Sequence, residues 1–183
     1  NNTISDLCCV AATLTGLLTY EDVTNIDSIV IVTARTGIKV LAGGINAVGI
    51  STLSGSTFFT GGLAEKYENA GTTLGAQTDN PLSDGNVILF TDNESGNLTI
   101  NFTGVHSTLS NGETVSFTAI LTPNNSGKIT VVQVDGQAIT VKWSGGSAPS
   151  AGASGQDIYT FQILKTGTGT SDYTVFGAAA NYA

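Results

Sequence analysis

Basic residues are scarce in this chain: six Lys and Arg stand against fourteen Asp and Glu in 183 residues, a formal net charge of −8. Nucleic-acid binding needs clustered cations to neutralise phosphates. The six here are scattered, so no nucleic-acid partner is expected. Charged residues of both signs reach only 11 %. Hydrophobic residues at 40 % nevertheless argue against disorder driven by charge and low hydrophobicity. A low-charge surface rich in Gly, Ser, Thr and Asn suits a β-rich extracellular protein. No apolar run approaches the roughly 20 residues that a bilayer-spanning helix needs, and no membrane insertion is expected. A basic-then-apolar leader is also missing, so export by a signal peptide is not indicated. Methionine is absent, an initiator included. A processed product, a fragment of a longer polypeptide and a sequence read from its ordered part are three open readings of that fact.

Cysteine is nearly as scarce, and Cys8 and Cys9 are adjacent. Neighbouring side chains on an extended strand point to opposite faces, which makes a staple between them geometrically poor. No CxxC spacing or histidine cluster accompanies them, so they are not a metal motif. They read as two small hydrophobes, in keeping with assembly in a reducing cytoplasm. Histidine occurs once, as His106, in the polar connection after Phe102. A Ser-His-Asp system needs a carboxylate-held base beside a nucleophile, and no serine here has a nucleophile-elbow context. His106 therefore reads as an exposed loop residue. The glycine-rich Ser144-Gly-Gly-Ser lacks the GK[ST] of a phosphate loop. No catalytic residue and no cofactor are expected.

Acidic residues are the most numerous charged groups. Asp79, Asp84, Asp92 and Glu94 crowd one polar region, and carboxylates are the ligands Ca²⁺ prefers, but their spacing is not that of an EF-hand loop. Solvated turn carboxylates are the preferred reading. A carboxylate pair for glycoside hydrolysis is not excluded by counting. The chain lacks the long solenoid and the clustered aromatic and acidic residues that such an activity normally accompanies. Glycosylation-type triplets at Asn93, Asn97, Asn101 and Asn124 arise by chance in a chain so rich in Asn, Ser and Thr.

Aromatic side chains are unevenly spread. Residues 1–57 hold only Tyr20, whereas residues 82–183 hold nine of the thirteen. The runs Thr19–Leu41 and Gly43–Thr52 are β-branched sequence broken by glycine, with strand chemistry but little bulk to close a core. Residues 1–15 suit strand or helix. From Gly16 to Thr57 short strands are expected, with turns near Gly37, Gly43-Gly44, Gly49 and Gly55. The pairs Gly37-Ile38, Gly44-Ile45 and Gly49-Ile50 repeat at spacings of seven and then five residues, too irregular for a fixed-period solenoid. Ile26, Ile29, Ile31, Ile38, Val40, Ile45, Val48 and Ile50 would leave a monomer with more bare apolar surface than soluble monomers carry. Closed symmetric association would bury it, with the small residues allowing close approach. These eight are the expected oligomer interface, and residues 1–57 the extended, oligomerising segment.

Residues 58–81 read as a transition. Phe58-Phe59 form an apolar plug, Leu63–Asn69 is the one candidate for a short helix, and Thr72–Pro81 is turn-prone and linker-like. After Leu82 the pattern becomes regular alternation: Val87 and Leu89; Leu98, Ile100 and Phe102; Val115, Phe117, Ala119 and Leu121; Ile129 and Val131; Ile139, Val141 and Trp143; Tyr159, Phe161 and Ile163; Tyr173 and Val175. Seven such strands predict an antiparallel, jelly-roll-like β-sandwich over 82–183. Its core would hold Phe102, Val115, Phe117, Val131, Val141, Trp143, Phe161 and Val175. Val134-Asp135-Gly136-Gln137 predicts a two-residue hairpin, and Trp143 is expected to cap the core. The whole chain is thus expected to be all-β.

The words "TYEDVTNIDSIVIVTARTGIKV" and "GGINAVGISTLSG" resemble repeated segments of tail-fibre-like and virion structural proteins of marine tailed phages, especially cyanophages. "LSDGNVILFT", "WSGGSAPSAGASGQDIYTFQILKT" and "YTVFGA" resemble a terminal domain of the same proteins. The resemblance touches most of residues 16–177. It implies a non-enzymatic structural role on the virion exterior, as a homotrimeric fibre-like appendage whose C-terminal domain contacts the host surface. The partners would be further copies of the chain and other virion proteins. A capsid decoration or cement protein is the alternative, its arm lying across capsid subunits. A carbohydrate-binding receptor module, using loop Ser144–Ser154 with Tyr159 nearby to hold a host-surface glycan, is the third.

Overall fold

The computed structural model describes Val40, residues 44–48, Leu53 and residues 57–182. The chain divides into two units, residues 1–57 and 58–183. In the first, Val40, residues 44–48, Leu53 and Thr57 carry neither helix nor strand. The other strands and turns expected from Gly16 to Thr57, and Cys8 and Cys9, lie outside the described residues.

The second unit is an all-β sandwich of a six-stranded and a four-stranded sheet. Its strands are β1 (Glu68–Asn69), β2 (Asp79–Pro81), β3 (Val87–Asn93), β4 (Asn97–Thr103), β5 (Thr114–Thr122), β6 (Lys128–Val134), β7 (Gln137–Ile139), β8 (Val141–Trp143), β9 (Gln156–Lys165) and β10 (Tyr173–Tyr182). The large sheet runs β1-β3-β5-β9-β10-β8 and the small one β2-β4-β6-β7. From β1 to β6 the chain alternates between the sheets. Each strand therefore lies parallel to the one two places earlier, as β1, β3 and β5 do in one sheet and β2, β4 and β6 in the other. Antiparallel order returns with the β6–β7 hairpin and the long β5–β9–β10 run.

The sheets are thus mixed, where alternation alone had suggested antiparallel pairing. Period-two alternation reports which face a side chain takes and is silent about the direction of the neighbouring strand. The three-residue step Glu94–Gly96 between β3 and β4 has hairpin length, yet it forms an arch that carries the chain to the opposite sheet. The arch from β5 to β6, Pro123–Gly127, turns on Asn124 and Asn125, both in left-handed conformation (φ 42° and 65°). It stacks directly on the Glu94–Gly96 arch. A Cβ at Gly127 would lie 2.2 Å from the Glu94 Cβ and 2.7 Å from its carbonyl carbon, so only glycine fits there.

The core lies between the sheets. Phe102 of β4 stacks on Phe117 of β5 with ring centroids 4.2 Å apart, and Phe161 of β9 closes on Phe102 at 5.5 Å. Ile88, Phe90, Ile100, Leu121, Ile129, Ile163 and Val175 are buried around them. Trp143 caps one edge, its ring edge-on to Phe161 at 5.8 Å. It rests against the backbone of Gly177, where a Cβ would meet the indole at 2.8 Å. The Asp135-Gly136 turn joins β6 to β7 with Val134 opposite Gln137 and positive φ at both residues, as a type I′ hairpin requires.

Several local expectations need correction. Val131 is exposed, while Val132 and Val134 are buried. The pairing jumps from Leu98–Ile129 to Thr99–Val131, a bulge that leaves Thr130 over and inverts the alternation after it. In β3 the buried residues are Ile88 and Phe90, with Val87 and Leu89 on the outer face. Val115, Val141 and Trp143 are only partly buried against the core. Ile139 and Val141 belong to different sheets, because the chain crosses over at Thr140. Residues 63–67 are irregular where a short helix was expected, and Glu68–Asn69 pair with β3. The linker-like stretch Thr72–Pro81 supplies β2 and the fully buried Leu74.

Candidate functional site

Three of the eight residues expected at an oligomer interface are described, and each stands in solvent: Val40 at 45 %, Ile45 at 76 % and Val48 at 96 % exposure. Ile26, Ile29, Ile31, Ile38 and Ile50 lie outside the described residues. Leu53 of the same unit is exposed as well. In the second unit, Phe58, Phe59, Leu63 and Tyr67 are exposed, so the Phe58-Phe59 pair plugs nothing within a single chain. All four precede β1, where the sandwich begins. Every other large hydrophobic residue of the unit that is exposed sits on a strand: Val131, Phe176 and Tyr182 among the described residues.

The outer face of the large sheet carries an ordered row. Ser116 of β5 pairs with Gln162 of β9, Gln162 with Phe176 of β10, and Phe176 with Lys142 of β8. Alternation turns all four outward, since Phe117, Phe161 and Val175 on the flanking positions are buried. A hydroxyl, an amide, an aromatic ring and an ammonium group thus stand side by side across four strands. The Ser116 hydroxyl donates to Gln162 Oε1 at 2.6 Å, and Gln162 Nε2 donates to Thr114 Oγ1. Lys142 Nζ lies 5.4 Å from the centroid of the Phe176 ring, within cation–π range. The next row is low: Thr160 lies between Thr118 and Ala178. A tall row beside a low one makes a shallow groove, with Ser144 and Trp143 at its end.

The single histidine is not an exposed loop residue. His106 is half-buried on the one-turn helix α1 (Val105–Thr108). The Asp135 carboxylate accepts from the Gly104 N–H at 2.6 Å and the His106 N–H at 2.7 Å, which fixes that turn on the β6–β7 hairpin. Lys165, buried at the end of β9, directs its ammonium at His106 Nδ1 (2.7 Å), the Tyr173 hydroxyl (3.2 Å) and the Gly169 carbonyl (3.3 Å). Those three acceptors match its three donors. The cluster ties the β9–β10 loop to α1, and among the described residues its hydrogen bonds reach no serine.

The four acidic residues suspected of holding a cation are dispersed. Asp79 accepts from Asn101 Nδ2 at 2.7 Å, and Asp84 accepts from its neighbour Ser83. Glu94 is buried, and its carboxylate accepts from the Leu74 N–H of the connection that arches from β1 to β2. Burial raises its pKa above the ordinary 4.5, opposed by the N–H groups of Leu74 and Gly75 and reinforced by nearby Asp92. Among the described residues no group of His, Cys, Asp and Glu is arranged to hold a metal ion. Tyr159, proposed beside a glycan loop, is fully buried, and that burial pushes its phenol up to about 12. Phe176 and Tyr182, both on β10, are the exposed aromatic groups of this sheet among the described residues, and Phe176 is the one that stands in the row. Sequence reading assigned Tyr173 and Val175 to the apolar face and did not weigh the outward-facing residue beside them. The buried partner Val175 was the usable signal.

The chain matches no family model, no curated protein and no solved structure.

Proposed function

We propose that this chain is a non-enzymatic structural protein of a phage virion, a homotrimeric fibre-like appendage on the particle exterior. Residues 1–57 serve as its assembly segment and the sandwich as its outward domain. The observation that carries the reading is the solvent exposure of Val40, Ile45, Val48 and Leu53. Four large apolar side chains within fourteen residues are more than a chain rich in Gly and Thr can cover by itself, and burial against identical copies is the simplest remedy. The word-level resemblance to tail-fibre-like proteins supplies the virion setting and the threefold order.

Solution mass tests the assembly. The parent chain should run at three times its 18.6 kDa. Ile45→Asp would place three like charges at one axis and should yield a single-chain species with the sandwich still folded, read by near-UV dichroism of the Trp143 region. A parent that is monomeric at micromolar concentration would overturn the trimer.

A further inference from the structure

We infer that the row Ser116–Gln162–Phe176–Lys142 on the outer face of the large sheet binds a short acidic saccharide. The inference deepens the host-contact part of the proposed function by naming the surface and the ligand class. Four side chains in cross-strand register are spaced as strands are, so the row is about 14 Å long, enough for a short oligosaccharide laid across the strands. Each member offers what a sugar needs. The Phe176 ring, 45 % exposed and facing outward among polar neighbours, presents a flat apolar face to the C–H face of a pyranose. Gln162 and Ser116 form a hydrogen-bonded pair at 2.6 Å whose remaining donor and acceptor capacity points to solvent, suited to vicinal hydroxyls. The low row of Thr118, Thr160 and Ala178 leaves room alongside.

Charge decides between neutral and acidic saccharide. The chain as a whole carries −8, yet the groove is lined by Lys142 and by no carboxylate. One ammonium beside the aromatic platform, with no acid to repel a ligand, is complementary to a carboxylate-bearing sugar, and a charge-assisted hydrogen bond from Nζ to a uronate is the stronger kind. A second copy of the chain is a poorer occupant. The same face of a copy offers no carboxylate to meet Lys142, so the ammonium would be covered without an opposite charge.

The test uses the full chain, tetragalacturonate as the acidic probe and maltotetraose as the neutral one, with binding followed by calorimetry and solution mass recorded on the same samples. Tetragalacturonate should bind more tightly than maltotetraose. Phe176→Ala should weaken tetragalacturonate by about tenfold, the weight of one aromatic contact, while Phe176→Trp retains binding and so separates loss of the ring from loss of fold. Lys142→Gln should remove the preference for the acidic probe. Val131→Ala, on the small sheet, should leave binding unchanged. Absence of tetragalacturonate binding overturns the inference, as does equal binding by parent and Phe176→Ala, or a drop in mass on Phe176→Ala, which would make the row a contact between copies. A trimeric parent that ignores tetragalacturonate refutes the saccharide site alone. A monomeric parent that binds it refutes the assembly alone.

Discussion

The two units treat the same kinds of side chain in opposite ways. Ile45 and Val48 of the first stand in solvent, whereas Ile100, Ile129, Ile163 and Val175 of the second are fully buried. What separates them is bulk. The second unit has Phe90, Phe102, Phe117, Tyr159 and Phe161 as fully buried rings, and aromatic groups contribute large buried areas from few residues. The first has one aromatic residue in 57 and glycine where a core would need volume. Among the described residues a core closes only in the second unit, and rings fill it. On the proposed reading, the exposed Val40, Ile45, Val48 and Leu53 serve association.

The largest expected effect tests that division from the sandwich side. Phe117 is buried and stacked on Phe102, so Phe117→Ala should cost about 3–5 kcal/mol in urea unfolding. Under native conditions the solution mass should not change, because the proposed assembly runs through residues 1–57 and Phe117 is enclosed in the sandwich core. Dissociation on Phe117→Ala, before the sandwich unfolds, would show that the units are not separable in this way.

A smaller effect addresses the arches. A Cβ at Gly127 meets Glu94 side-chain and backbone atoms at 2.2 to 2.8 Å, and backbone cannot swing aside as a flexible side chain can. Gly127→Ala should destabilise the sandwich by about 1–3 kcal/mol, the usual range for overpacking. The same change at Gly136, where nothing lies within 4 Å, meets no clash and carries only the strain of a positive φ. Equal losses at the two sites would mean that the arches are not in contact in solution.

How much of this was legible in the sequence follows from what alternation encodes. The faces of β4, β5, β9 and β10 were readable, as were the stacked Phe102, Phe117 and Phe161, because unbroken period-two runs permit only one assignment. The phase of β3 was not, since Val87-Ile88-Leu89-Phe90 is apolar at every position. Nor was the inversion inside β6, where a bulge at Thr130 is written in the pairing with β4 and not in the local sequence. Strand direction was illegible throughout the first six strands, because an arch and a hairpin of the same length share their turn residues. Of the proposed assembly surface, Val40, Ile45 and Val48 stood out in the sequence for the scarcity of aromatics around them. The Ser116–Gln162–Phe176–Lys142 row did not, because it draws one residue from each of four strands and depends on register.

The smallest expected effect concerns the buried carboxyl that joins two arches. Glu94 is enclosed, and burial holds its pKa above 4.5 in the folded state. Between the ordinary carboxylate range and that raised value the folded state binds more protons than the unfolded one, so folding stability falls as pH rises through the window. Below 4.5 both states are protonated and the effect vanishes; above the raised value it is complete and constant. Glu94→Gln keeps an oxygen to accept from the Leu74 N–H and removes the ionisation. Its stability relative to the parent should therefore improve as pH is raised from about 3.5 to about 8 in a series of urea titrations, the sign expected for a carboxyl whose dominant perturbation is desolvation. Should the gap move the other way, the N–H groups of Leu74 and Gly75 would outweigh burial. Glu94 would then be a net stabilising anion that strengthens the junction of the arches on ionising. The solution mass should not follow pH through Glu94 in either case, since this group lies within the sandwich.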